Sequence, residues 1–449
     1  MLRSALANIS FNVTDVPVVF IEYGNLNPDS APSKEYEAAK IYIASLDKNG
    51  NPQVDAIEYN GTMKMRGNST ADEDKNPYNI KFTSKVDLFG MGAGKKYCLL
   101  ANLFDQTLLR NAMAIEFSQA IDIQFAPKYQ FVEVYYNGRY DGLYMLTTPM
   151  DIGEDRIDID EDKDIVLEVE RDNGDHRKVM KDDEVYIKSS LWNINSLVEG
   201  ISDLSGEAYS NLYSSFNMID FAIKSGDWNL IQQYVDIESM SRYYVIHEYL
   251  KEADMCYDST RFYIKDGKLY GGPVWDFDLG LGNISINSGQ AGDDNSHDAC
   301  NNEGKWAAIN MGVENNSATG YWADCRWASN TTLWFPYLMK YSPDFQEKVR
   351  QIIIDYEDEM RLMYEDKVIS KREVIENKID IHHENEQFIN ARIRNYQKFN
   401  IAKSHTSMSN LKSSYSDAID YMRGWLKERH AWMYEAYTGN ELPPAKTGK

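Results

Sequence analysis

Basic residues are in short supply in this chain. Lys and Arg number 47 against 70 Asp and Glu, a formal net charge of -23. A field of that sign repels phosphate backbones and anionic lipid, which argues against nucleic-acid binding and against an anionic membrane surface. It suits a basic protein partner, or plain solubility. Cysteine is scarce too. Cys98, Cys256, Cys300 and Cys325 form no Cys-x-x-Cys pair, which excludes a disulfide scaffold and zinc-site spacing. Cys300 and Cys325 bracket a polar stretch; they either pair in an oxidising compartment or stay as free thiols. The 7 histidines form no zinc constellation, and His382-His383 read as solvated residues on a polar helix. No apolar run reaches the roughly 18–20 residues that a membrane helix needs, so no membrane span is expected. Met1-Leu2-Arg3-Ser4 carries no apolar signal core, and that bears little on location.

What is present is enough for a large core. The chain has 449 residues, 43% of them hydrophobic, and periodic apolar segments run along its length. Residues up to about Lys188 read mostly as strands. Phe131 to Tyr136, then Asn137-Gly138, then Tyr140 to Leu146 is a hairpin signal. Tyr78 to Phe82 alternates. One helix interrupts this half, from about Gln106 to Ile121, with Leu109, Ala112, Met113, Glu116 and Phe117 at helical spacing. The second half reads as largely helical, with Leu212 to Lys224, Ile237 to Glu252, Pro343 to Glu365, Lys371 to Phe399 and Ser416 to Tyr434. A polar stretch from about 284 to 330 is too long for a passive connector and reads as a functional loop or partial disorder. The expected layout is α+β and two-lobed: a β-rich first lobe with one inserted helix, about 16–188, and a mostly helical second lobe, about 189–440. Both belong to one domain spanning 16–440, followed by a flexible tail, 441–449.

The densest chemical signal is Gly271-Gly272-Pro273-Val274-Trp275-Asp276-Phe277-Asp278-Leu279-Gly280-Leu281-Gly282. On an extended strand the carboxylates of Asp276 and Asp278 share one face. Two carboxylates on one face repel unless a cation sits between them. Magnesium is a natural occupant, since it takes hard oxygen ligands and keeps a substrate phosphate as another. The glycines let backbone or nucleotide come close.

Phosphoryl transfer also needs a carboxylate near the attacking hydroxyl. In protein kinases that Asp is followed five positions later by a metal-binding Asn, and then by a second metal-binding Asp on a later strand. Here Asp254 ends a helix, and Ser259 stands five positions on. Phe262-Tyr263-Ile264 and Gly267-Lys268-Leu269-Tyr270 then form a hairpin that leads to Asp276. The order is carboxylate, hairpin, metal carboxylate.

These pieces resemble the spore-coat protein H (CotH) kinase family. Met65-Arg66-Gly67-Asn68-Ser69-Thr70 resembles its Arg-Gly-Asn-Ser turn, and Pro77-Tyr78-Asn79-Ile80-Lys81-Phe82 its lysine-bearing strand. Asp87 to Gly92, Leu99 to Asn102 and Leu109-Arg110-Asn111 resemble the following linker and helix. Asn137-Gly138 through Gly142-Leu143-Tyr144 resembles a hairpin leading to the nucleotide hinge. Asp254, Ser259-Thr260 and Gly272 to Asp278 complete the set, from about Val18 to Asn283.

The resemblance implies an atypical protein-kinase-like fold, ATP with magnesium (or manganese), and phosphorylation of Ser or Thr in a secreted or surface protein. An extracellular, cell-surface or spore-surface location in a bacterium follows from the same resemblance. So do the roles of single residues. Lys81 would hold ATP phosphates, with Arg66 positioning phosphate or pinning its turn. Glu116 would pair the lysine. Asp254 would orient or deprotonate the acceptor hydroxyl, and Asp276 would hold the metal, with Asp278 a possible second ligand. Ser259 departs from the Asn expected there, and a hydroxyl is a weaker metal ligand than an amide carbonyl. The acceptor expected for so acidic a chain is Ser-rich and basic.

Two other functions fit an Asp-x-Asp strand. One is a metal-dependent nucleotide-sugar glycosyltransferase. The other is a non-catalytic surface binding protein that keeps the fold, for which Ser259 speaks. Gly90-Met91-Gly92-Ala93-Gly94-Lys95-Lys96 is not a Walker loop, because Phe89 and Lys96 stand where Gly and Ser or Thr are required. It reads as a flexible turn. Trp306, Trp322 and Trp327 in the long loop either bind a partner or glycan by stacking, or pin the loop to the body.

Overall fold

The computed structural model describes residues 16–24, 26–27, 29, 32–44, 56–67, 74–170, 185–188, 195–199, 206–252, 255, 259–284, 317–319, 334–365, 367–369, 374–376, 386–399 and 409–444. Asp254, Cys256, Cys300, Cys325, Trp306, Trp322, Trp327 and His382-His383 lie outside them. No helix among the described residues is long and apolar enough to cross a membrane. The chain divides into two compact units: Met1–Gln106, Pro127–Ile157 and Asp380–His405 form one; Thr107–Ala126, Asp158–Ile379 and Thr406–Lys449 form the other.

The first unit is a closed barrel of β1 (Val18–Tyr23), β2 (Glu37–Ala44), β3 (Ile57–Met65), β4 (Tyr78–Asp87), β5 (Ala93–Leu100), β6 (Tyr129–Tyr136) and β7 (Arg139–Thr147), in the order β1-β2-β3-β4-β5-β7-β6. Most neighbours are antiparallel. Closure comes from β1, which pairs antiparallel with β2 and parallel with β6, so that Val18 stands opposite both Ala44 and Glu133. Closing the sheet leaves no edge strand exposed. Val18, Phe20, Tyr42, Ala44 and Tyr135 pack together on one side of this seam. Along β4, Tyr78, Ile80 and Phe82 are buried while Lys81 is exposed, as the alternation predicts. The β6–β7 turn is the expected Asn-Gly pair, with φ of 46° at Asn137 and 80° at Gly138, the backbone of a type I′ hairpin.

A helix from far along the chain completes this unit. α8 (Glu386–Lys398) stacks Phe388 edge-on against Phe131 at 4.9 Å. Its Arg394 donates to both carboxylate oxygens of Glu133, at 2.8 and 3.0 Å. Glu133 is fully buried on β6, so it needs that cation. Asn395 accepts from the Leu143 N–H at 3.1 Å, and Lys398 reaches Asp141 at 3.2 Å. Lys75 is also buried here. Its ammonium donates to Ala101 O at 2.8 Å and to Leu143 O, and burial pulls its pKa down to about 7.

The second unit holds α1 (Arg110–Ala120), β8 (Ile165–Glu170), β9 (Val185–Lys188), β10 (Asn195–Glu199), α2 (Gly206–Ser225), α3 (Trp228–Tyr234), α4 (Ile237–Leu250), β11 (Arg261–Lys265) and β12 (Lys268–Gly271). After these come α5 (Phe335–Tyr341), α6 (Pro343–Asp355), α7 (Glu357–Leu362), β13 (Lys367–Ile369), β14 (Val374–Glu376) and α9 (Tyr415–Thr438). Five strands pair antiparallel in the order β12-β11-β8-β10-β9. α4 is the central helix, buried continuously from Tyr243 to Leu250. The Asp236 carboxylate caps its N-terminus by accepting from the Ser239 N–H at 2.9 Å.

These findings overturn the expected two-lobed, protein-kinase-like fold with a mostly helical second lobe. The strand-rich half closes into a seven-stranded barrel. The helix read as inserted in that half, α1, belongs to the other unit, and that unit carries a five-stranded sheet of its own. Strand periodicity is a local signal, whereas the β1–β6 seam joins residues more than a hundred positions apart. Part of the helix expected over Lys371 to Phe399 is instead the β14 strand of a short hairpin.

Two outcomes follow from this packing. Replacing Arg394 with Ala leaves the buried Glu133 carboxylate without its cation, the Tyr140 hydroxyl still donating to it at 2.9 Å, and should destabilise the barrel unit by about 3 kcal/mol in urea unfolding. An Arg394→Ala variant as stable as the parent would show that the pair is unimportant. The second outcome concerns pH. Burial lowers the pKa of His247 and of His430 to about 3, from the ordinary 6.5. Each folded imidazole therefore binds fewer protons than its unfolded counterpart between those values. Stability is retained above pH 6.5 and falls as pH drops toward 3, by about 2 kcal/mol per histidine at pH 5. A His247→Phe variant should lose that much less stability than the parent between pH 7 and pH 5; parallel pH profiles would refute the assignment.

Candidate functional site

The Gly271–Ile284 segment is held almost residue by residue within the second unit. It follows the β11–β12 hairpin, whose turn is Asp266 and Gly267, both with positive φ. Gly271 lies against the Tyr243 ring of α4, where a Cβ would come within 2.5 Å of that side chain. Beyond β12 the backbone leaves the sheet. The Asn111 side-chain oxygen, from the first turn of α1, accepts from the buried Phe277 N–H at 2.7 Å. The Leu281 N–H donates to Leu250 O, the end of α4, at 2.7 Å. Asn283 donates through its side chain to Asp278 O at 2.7 Å, and Asn410 donates through its own to Gly282 O at 3.2 Å. Gly282 is pressed against Trp425 of α9, which leaves no room for a Cβ.

This course changes the reading of Asp276 and Asp278. The strand ends at Gly271, Asp276 has a left-handed φ of 65°, and Asp278 opens a turn. The extended geometry that would set both carboxylates on one face is absent. The flanking side chains, Trp275 and Phe277, are buried, while Asp276 is only half-buried. Asp276 does meet another predicted residue: the Ser259 hydroxyl donates to its Oδ2 at 3.0 Å. Ser259 is itself left-handed, with φ of 60°. Non-glycine residues in that region are strained by about 1–2 kcal/mol each, and such strain concentrates at functional sites.

Glu116 also lies in this unit, half-buried on α1. Lys81 and Arg66 lie in the barrel unit. Lys81 is exposed on β4, directly opposite Lys96 of β5. The Lys64 and Lys81 ammonium groups lie 4.8 and 5.9 Å from the centre of the Tyr36 ring. Burial raises the Tyr36 pKa, and the nearby Arg66 charge opposes that rise. Lys64, Arg66, Lys81 and Lys96 thus gather positive charge on a protein that is strongly acidic overall. Like charges facing each other across strands disfavour one another and favour an anion.

Some residues that shape the site carried no recognisable signal. Asn111 stands within a quoted motif, but nothing in its spacing assigned it to the Phe277 N–H. Asn410 and Lys412 come from the far end of the chain. The Lys412 ammonium donates to the Asn410 side-chain oxygen at 2.9 Å and lies 3.7 Å from the Tyr421 ring centre.

The donor set can be compared with what a cation needs. Among the described residues no three acidic, His or Cys side chains converge as a metal-binding group. One carboxylate beside a hydroxyl, both hard oxygen donors, matches what magnesium takes from protein when nucleotide phosphates and water supply the rest. Asp276 with Ser259 therefore fits on donor chemistry.

A kinase in general uses ATP and a divalent metal. The search of curated proteins returns no match. The family model described as CotH kinase protein matches residues 63–433, which takes in parts of both units and extends well past the Asp276 segment. The chain belongs to the CotH kinase family.

Proposed function

We propose that this protein is a Mg-ATP-dependent kinase that phosphorylates Ser or Thr of a protein acceptor. The observation that carries the reading is the hydrogen bond between Ser259 and Asp276, two left-handed residues, within a chain matched by the CotH kinase model. Asp276 would hold the metal, with Ser259 orienting its carboxylate or adding a weaker ligand, and Asp278 remains a candidate second ligand. When bound, magnesium neutralises the charge that develops on the transferring phosphoryl group. Lys81 would contact ATP phosphates, and Arg66 would position phosphate or pin its turn. The opposed Lys81 and Lys96 support that role. Asp254 is assigned from its place in the chain order. It would accept the proton of the acceptor hydroxyl as that oxygen attacks the γ-phosphorus and the bond to the ADP oxygen breaks.

The net charge of -23 favours a basic, Ser-rich acceptor. A secreted, cell-surface or spore-surface location in a bacterium is part of the same proposal. The family match lends no support to the glycosyltransferase alternative.

Labelled-ATP transfer tests the reading, on autophosphorylation and on basic Ser-rich peptides. Asp254→Ala and Asp276→Ala should each lower transfer by about a hundredfold or more. Full activity in both variants would refute the assignment. Lys81→Ala should raise the KM for ATP and leave the KM for the acceptor nearly unchanged; the opposite pattern would move Lys81 to the acceptor side.

A further inference from the structure

Asn111 is a polar side chain in an apolar setting. It is buried in the first turn of α1, followed by buried Ala112, Met113, Ala114 and Ile115. Asparagine is a modest helix former, and a buried amide is costly unless it is hydrogen-bonded. Its oxygen accepts from the Phe277 N–H, 166 positions further along the chain, at 2.7 Å. That N–H belongs to the peptide unit that joins Asp276 to Phe277. A peptide unit is planar, so fixing its N–H fixes the direction in which the backbone leaves the Asp276 Cα. The left-handed turn at Asp276, with φ of 65°, is thereby held on its C-terminal side. The Asp276 carboxylate is held separately, by the Ser259 hydroxyl at 3.0 Å.

Both supports of this peptide are rigid. The Phe277 ring is buried, with its centre 5.4 Å from that of the buried His247 ring of α4. α1 is tied to the same helix. Phe117 meets Tyr249 edge-on at 5.2 Å, and Arg242 donates to Asp122 O, just past the end of α1, at 3.1 Å. The segment has other anchors, Leu281 N–H on Leu250 O and the Asn283 side chain on Asp278 O, but those act beyond Asp276. Asn111 acts on the peptide that adjoins it. We propose that Asn111 is a positioning residue for the metal-binding carboxylate: through the Phe277 N–H it sets the direction in which Asp276 presents its oxygens to magnesium. The inference rests on the reading of Asp276 as a metal ligand given above. Groups that orient a ligand in this way typically account for about 10- to 100-fold in metal affinity.

The test compares Asn111→Leu, which removes the acceptor at similar side-chain size, with Asn111→Asp, which keeps an oxygen in the same place. Asn111→Ala is the second deletion should the leucine variant not fold. Mn2+ binding to the full chain with a non-hydrolysable ATP analogue, followed by electron paramagnetic resonance, gives a readout independent of turnover. The deletion should weaken Mn2+ about tenfold or more, and Asn111→Asp should stay within about threefold of the parent. Hydrogen exchange of the peptide containing Phe277 should accelerate in the deletion alone. In phosphate transfer the metal requirement should rise about tenfold while the KM for the acceptor peptide stays within about twofold. Parental Mn2+ affinity in the deletion would overturn the inference, as would an equal loss in Asn111→Asp. If the parent binds no Mn2+ with the analogue, or binds it equally well as Asp276→Ala, the metal reading of Asp276 fails and the inference falls with it.

Discussion

A helix that ends inside a protein must have its last carbonyls satisfied, because no water reaches them. The end of α4 is such a place, and the second unit is arranged around it. Lys251 turns left-handed and returns its N–H to His247 O. Arg429 takes Glu248 O together with the Glu248 carboxylate. The Leu281 N–H takes Leu250 O, and the Tyr249 hydroxyl donates onward to Met360 O. Four separate parts of the chain are tied to this helix end: the segment after β12 that carries Asp276, α7 through Met360, α9 through Arg429, and the stretch 317–319, whose Ser317 and Thr319 carbonyls accept from the Lys251 ammonium.

The same constraint accounts for the strain at Asp276. The Phe277 N–H is committed to Asn111 and Leu281 to the helix end, so the backbone has left the line of β12 by Phe277 and turns at Asp276, just before it. It bends through a left-handed residue with its neighbours buried. The Asp276 carboxylate stays partly exposed and accepts from the Ser259 hydroxyl. Burial elsewhere in this unit has a price in charge: a neutral His247 beside Phe277, and cations that survive only with carbonyls or a carboxylate at hand.

Elements with a short-range cause were legible in the sequence. The Asn137-Gly138 turn, the burial alternation of β4, the β11–β12 hairpin and the approximate positions of α1, α4 and α9 follow from turn chemistry and periodicity. Gly271 to Gly282 stood out because glycines and aspartates are dense there. Much of the rest depends on partners far along the chain. Closure of β1 on β6, the pairing of Glu133 with Arg394 and the contacts of Asn410 with the Gly282 segment have no local pattern. The left-handed turn at Asp276 was illegible for the same reason. An Asp-x-Asp run reads as a strand until Asn111 and Leu250 are known to take its neighbours' hydrogen bonds.

The sequence alone therefore determined the family, the strand and helix inventory in outline, the acidic character and the segment that carries the candidate carboxylate Asp276. Those properties reside in composition, in order along the chain and in periods of two or 3.6 residues. Only the tertiary structure decided that the strand-rich half is a closed barrel and that α1 and α8 each join the unit remote from their sequence neighbours. It also showed that Asp276 meets Ser259 rather than sharing a strand face with Asp278. Those outcomes depend on which buried polar groups find each other once the chain is compact, and no local window of sequence contains both members of such pairs.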